Sequence, residues 1–162
     1  MASEIKVDTI VNAGGDNDTG IDLATNDQIL LKVANATKLT MNSTGQTTIV
    51  GEGGTTTTSV QQGLTKAWAS TTGEGTPVIR DSFNMSSISD DYQGTYTFDF
   101  TNDMSSTYYT GHGDGERDAA GEGNIVGPID VQTGTIQFRS KTDAGNYDDL
   151  DQGHFIIHGD LA

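Results

Sequence analysis

His154 and His158 stand four positions apart. On a helix this spacing sets both imidazoles on one face, within reach of a single zinc ion. The residues between them, Phe155, Ile156 and Ile157, favour a strand instead. On a strand four residues span roughly 13 Å, too far for one metal to bridge within one chain. In a trimer, three copies of one histidine could still meet on an axis. Asp16, Asn17, Asp18, Thr19 and Gly20 place oxygen ligands at alternate positions, as a calcium loop does. The EF-hand pattern needs Gly at its sixth position and Glu at its twelfth, and here those are Ile21 and Asp27. A plain turn is the expectation. Asp143, Asp148, Asp149 and Asp151 form a second oxygen-rich cluster, read as a solvated loop.

Ser, His and Asp are all present, but no G-x-S-x-G nucleophile elbow occurs. With 23 acidic residues, paired carboxylates say nothing about glycosidase chemistry. A Gly-rich phosphate loop ending in Lys-Ser or Lys-Thr is missing. The expectation is a protein that is not an enzyme and carries no cofactor or metal. Tyr108, Tyr109, His112, Asp114, Glu116 and Arg117 mix aromatic and polar groups on and beside the stretch 111–127, GHGDGERDAAGEGNIVG. Such mixtures suit a surface that binds polar ligands such as sugars. They are the candidate receptor-binding set, on what reads as the longest irregular segment of the chain. Loops of that length are usually functional or mobile.

The elements that must position these residues read as strands. Gly numbers 21, Thr 24 and Pro 2. Thr favours strands and Gly favours turns, and helix-period apolar patterning is absent over any useful length. All eleven aromatic residues lie between 64 and 162. Strands are expected near 65–70, 77–88, 94–101, 106–111, 125–131, 134–140 and 153–159. Seven short strands with such turns suggest an antiparallel β-sandwich. Within it, Tyr96, Phe98 and Phe100 alternate onto one face of a hairpin. Trp68 and Phe83 are expected to join them as core anchors.

Residues 1–51 contain no aromatic residue. Short aliphatic strands recur there every nine to twelve residues or so. Their apolar content, at roughly 25 cal/mol per Å², falls short of a backbone entropy cost of roughly 1–2 kcal/mol per residue. A homotrimer wrapped around a common axis would supply the missing burial. Residues 52–63, EGGTTTTSVQQG, read as a Gly/Thr-rich linker or neck. The organisation expected is thus an N-terminal anchoring and trimerising β segment (1–51), a join (52–63) and a C-terminal β domain (64–162).

Charge narrows the partners. The chain of 162 residues carries 23 Asp and Glu against 8 scattered Lys and Arg, a net charge of −15. Nucleic-acid binding requires clustered cations, and anionic membrane surfaces repel such a chain. The expectation is no nucleic acid and no membrane. Cysteine is absent, which excludes disulfides and thiolate metal sites. The first residues show no apolar signal-peptide region.

The middle of the chain also carries a resemblance. Lys66-Ala67-Trp68, then Ile79-Arg80, Ser82-Phe83-Asn84, Ser86-Ser87-Ile88 and Asp90, then Tyr96 and Phe100 follow one pattern. It resembles a C-terminal domain of tail-fibre and related virion proteins of tailed bacteriophages, marine ones especially. Met85 stands where that pattern usually has Val. The resemblance covers about 45 residues well, with a looser fit over 154–161, and the opening SEIKVDTI resembles the starts of fibre-like proteins. It implies a virion structural protein, assembled in the host cytoplasm as a short homotrimeric tail fibre that contributes to host attachment. Its N-terminal segment would dock on tail or capsid proteins, and the 111–127 segment would face outward toward a host surface glycan. A capsid-decorating head fibre and a lectin-like glycan-binding module are the alternatives.

Overall fold

The structure, a computed structural model, describes residues 7–11, 19–24, 27–51, 53–117 and 122–161. The opening SEIK of the fibre-like start and most of the oxygen-rich 12–20 turn lie outside these residues. The chain is all-β and antiparallel, and divides into two compact units, Met1–Gly63 and Leu64–Ala162.

The first unit is a six-stranded meander. Its strands are β1 (Thr9–Val11), β2 (Gly20–Asp22), β3 (Ile29–Val33), β4 (Ala36–Met41), β5 (Thr47–Val50) and β6 (Thr57–Ser59). A single helical turn, α1 (Val60–Gly63), follows. Residues 52–63 are therefore not simply a linker. Thr57, Thr58 and Ser59 pair with β5, and Gln61 ties back to Thr47 N and Gly45 O. Thr is a strand former, so a Thr run beside an unpaired strand edge extends the sheet.

Register makes this sheet two-faced. Ile10 lies opposite Ile21, Ile21 opposite Leu31, Leu31 opposite Leu39, and Leu39 opposite Ile49. Directly opposed residues point to the same side, so five aliphatic side chains cross five strands in one row. Ile29 and Met41 pair beside that row. The reverse face carries Thr40, Thr48 and the Asp22–Lys32 ion pair around a single leucine, Leu30. Among the described residues of this unit, none is buried.

The second unit is one eight-stranded sheet, a near-barrel, and not the two-sheet sandwich the turn spacing suggests. Its strands are β7 (Thr65–Thr72), β8 (Val78–Phe83), β9 (Met85–Tyr92), β10 (Thr95–Phe100), β11 (Thr110–Arg117), β12 (Glu122–Val131), β13 (Thr135–Lys141) and β14 (Gln152–His158). The order across the sheet is β8-β7-β14-β11-β12-β13-β10-β9. Its two edge strands, β8 and β9, are consecutive in the chain. Only Asn84 separates them, with φ at +58°. The expected single strand over 77–88 is therefore broken at a corner, and the chain itself brings the sheet's two edges together. The Asn84 side chain holds that corner: its Oδ1 accepts from Asn102 N at 2.8 Å and its Nδ2 donates to Asn102 O at 3.0 Å.

The interior is packed. Phe98, Phe138 and Phe155 form a triangle with centroids 4.6, 4.8 and 6.0 Å apart. Tyr96, Ile136, Ile157, Met104 and Leu150 are buried around it. The Tyr96 hydroxyl accepts from Leu150 N at 2.9 Å and donates to Gly73 O at 3.3 Å, joining two loops to the core. Burial of the ring raises the hydroxyl pKa well above its ordinary value.

Two core anchors expected from the sequence need correction. Phe83 is half exposed, because the left-handed Asn84 resets the alternation and sends Met85 inward in its place. Trp68 is only half-buried and sits on the outer face; its neighbours Ala67 and Ala69 point inside.

Candidate functional site

The stretch 111–127 is not an irregular loop. Thr110–Arg117 and Glu122–Val131 are paired strands, and β11 is central, held between β14 and β12. The glycines explain the misreading. Gly111, Gly113 and Gly115 alternate with His112, Asp114 and Glu116. They face inward, where the aromatic triangle leaves no room for a side chain. A Cβ on Gly113 would lie 2.7 Å from Val126 Cγ1 and 2.9 Å from the Phe155 ring. The polar members of the alternation are thereby presented on the outside of the barrel.

Register then assembles two rows across four strands. In the first, Asp114 is opposite His154, His154 opposite Ser70, and Ser70 opposite Asp81. In the second, His112 is opposite Ile156, Ile156 opposite Trp68, and Trp68 opposite Phe83. Beyond the first row a chain of polar contacts runs from Arg80 Nη1 to Gln152 Oε1 at 3.1 Å, and from Gln152 Nε2 to Glu116. Asp114 Oδ1 accepts from Gly115 N at 2.9 Å. Trp68, Ser70, His112, Asp114, His154 and Ile156 line a shallow groove of about 390 Å³ between the rows.

The other expected site residues separate from this face. Tyr108 is 95% exposed. Tyr109 is partly buried: its hydroxyl donates toward Gln132 O at 2.8 Å and Thr135 O at 3.0 Å, and its ring meets Phe100 edge-on at 5.9 Å. Burial, with the charge of Asp130 adding, pushes the Tyr109 hydroxyl up to about 12. Glu116 lies on the outer face with His112 and Asp114. Arg117 ends β11, and its side chain lies outside the described residues.

Ser70, Ile156 and His154 were not legible as partners of His112 and Asp114. Each strand shows its own alternation, but pairing across 82 positions of chain leaves no local trace. The order Ser70, His154, Asp114 invites comparison with a nucleophile, base and acid. Ser70 sits in mid-strand on the outer face, opposite His154 on one side and Asp81 on the other, next to a register shift against β8.

The acidic loop before β14 serves the backbone. Asp149 Oδ1 accepts from Gly94 N at 2.6 Å, and Asp148 Oδ1 accepts from Gln93 Nε2 at 3.3 Å. Desolvation, then the charges of Asp149 and Asp91, raises Asp90. Asp91 is lowered; desolvation opposes this, but hydrogen bonds from Thr97, Gln137 and Ser89 together outweigh it. Among the described residues, no group of three or more His, Cys, Asp or Glu side chains is placed to hold a metal ion.

No protein-family model, no curated protein and no solved structure matches this chain. A functional reading therefore rests on these two units and on the short pattern around Trp68 and Asn84.

Proposed function

We propose that the chain is a non-enzymatic structural protein of a phage particle, a short homotrimeric fibre. In this reading the N-terminal unit joins the copies and docks on other virion proteins, and the C-terminal barrel contributes to host attachment. The observation that carries it is the aliphatic face of the first unit. A sheet must cover an apolar face, and here Ile10, Leu31 and Ile49 are 52, 38 and 38% exposed. Exposed apolar faces of this extent mark association surfaces. The five side chains of the row, Ile10, Ile21, Leu31, Leu39 and Ile49, are all aliphatic, so copies of a chain with net charge −15 can meet along it without placing like charges in its centre. The Lys66–Trp68 and Ile79–Asp90 pattern supports placing such an assembly on a phage.

The test is the mass of the full chain in solution by light scattering. Three times the chain mass is the expected result. A monomer with native circular dichroism overturns the fibre reading. A glycan-binding module acting without a stalk is the second reading, favoured by the Trp68 and His154 groove.

A further inference from the structure

We infer that the outer face of β8, β7, β14 and β11 is a binding site for neutral oligosaccharide, centred on Trp68. This rests on the attachment role proposed above for the C-terminal unit, and it names the surface and the ligand class.

Trp68, half-buried on the outer face, stands in a row with Phe83 and Ile156, which are 50 and 37% exposed. The interior is already filled by other rings, so these side chains are surplus to the core. One step along the strands, about 6.7 Å away at two residues of rise, runs the row of Ser70, His154 and Asp114. A sugar ring has the matching two-part chemistry: a face of C–H bonds and a rim of hydroxyls. Stacked on the Trp68 indole, its rim reaches the second row. There Asp114 accepts from hydroxyls, while Ser70 and the imidazoles both accept and donate. Aromatic groups with one polar handle are suited to such half-wet contacts.

Charge selects within the sugars. Asp114 lines the groove and Asp81 ends its polar row, while Arg80 lies beyond that row, hydrogen-bonded to Gln152. Sulfated or sialylated glycans meet like charge there, as nucleic acids do. Neutral hexose oligomers do not. The site is open along the row, so it accommodates a chain of rings passing over the surface.

Trp68 is the only tryptophan, so it reports on its own site. The full-length protein is titrated with neutral glucose, mannose and galactose oligomers, and in parallel with sulfated and sialylated ones, while Trp emission is followed. At least one neutral series is expected to shift the emission saturably, and no anionic series to do so. Calorimetry with that oligomer is then expected to show at least about a tenfold loss of affinity in Asp114→Asn, the worth of a hydrogen bond to a charged group, and no measurable binding in Trp68→Ala. Trp68→Phe, which keeps a ring on the surface, retains weakened binding and covers the case in which the alanine variant does not fold. The inference is overturned if no neutral oligomer binds, if only anionic glycans bind, or if Asp114→Asn binds as the parent does. Light scattering on the same sample keeps the two readings apart. A trimer without sugar binding removes this site alone, and a monomer that binds sugar removes the fibre alone.

Discussion

Tyr96 shows how much one buried hydroxyl organises. It accepts from Leu150 N and donates to Gly73 O, so Tyr96→Phe leaves a buried backbone donor without its partner. A loss of about 1–3 kcal/mol is expected, read as a lower chemical-denaturation midpoint. Gly113 makes the complementary case. Its Cβ would strike Val126 and Phe155, neither of which has free space. Gly113→Ala is expected to cost about 1–3 kcal/mol, as overpacking does. Tyr109 sets a pH dependence. Its pKa is about 12 in the fold against 10.0 for an unperturbed tyrosine. The unfolded chain thus releases the proton first, and binds fewer protons than the fold above pH 10. Stability falls as pH rises from about 10 toward 12, and alkaline unfolding in Tyr109→Phe should lose that part of its slope. At this scale the sequence was readable where alternation was unbroken: Tyr96, Phe98 and Phe100 lie on the inner face their period gives them. It misled at Phe83, because a single left-handed residue reverses the sides and Asn gives only a weak sign of it.

Among the elements, β11 departs furthest from its sequence signal. Gly-x-Gly-x-Gly reads as a loop because Gly favours turns. Here the smallest side chain is required by the rings that cross beneath the strand, and those rings come from β13 and β14. No local rule sees them. The seven strand stretches of the second unit were otherwise visible, apart from the shift of 106–111 to Thr110–Arg117 and the break at Asn84. Their order across the sheet was not, since it depends on which edges meet. The corner between β8 and β9 offers a test. Asn84→Ala keeps the positive φ and removes the three side-chain bonds to Asn102. It is expected to destabilise by about 1–3 kcal/mol, with Asn84→Gly intermediate because Gly relieves the backbone term.

For the whole molecule, the contrast between units predicts separable behaviour. The fragment 64–162 contains every residue of the buried core. It is expected to fold alone, and to melt at a temperature independent of its concentration. Leu31→Asp in the full chain places a charge in the middle of the aliphatic row. The expected outcome is a fall in scattered mass to that of one chain, with the thermal transition of the C-terminal unit unchanged. A trimer that survives this change would place the contact elsewhere. The shortage of large apolar residues in this unit was legible in the sequence, but the single aliphatic row across five strands was not, because it exists only once the registers are set.

The position of β14 between β7 and β11 also governs the time course of assembly. Apart from the corner at Asn84, where β8 runs into β9, the β7–β8 hairpin is paired to the sheet only through β14, and that contact closes a loop of 82 residues. Until that closure, the hairpin and the β11–β12 pair each hold an unpaired edge. Long-range pairing of this kind makes for slow folding, in milliseconds to seconds, with edges open to wrong partners meanwhile. Production of this protein at high concentration should then be limited by the rate of that one meeting more than by the final stability, and lower growth temperature or dilution during refolding should raise the soluble yield. A circular permutant of the fragment 64–162 that starts at β14 and runs directly into β7 turns the slowest contact into a hairpin, and its refolding should be faster than that of the unpermuted fragment.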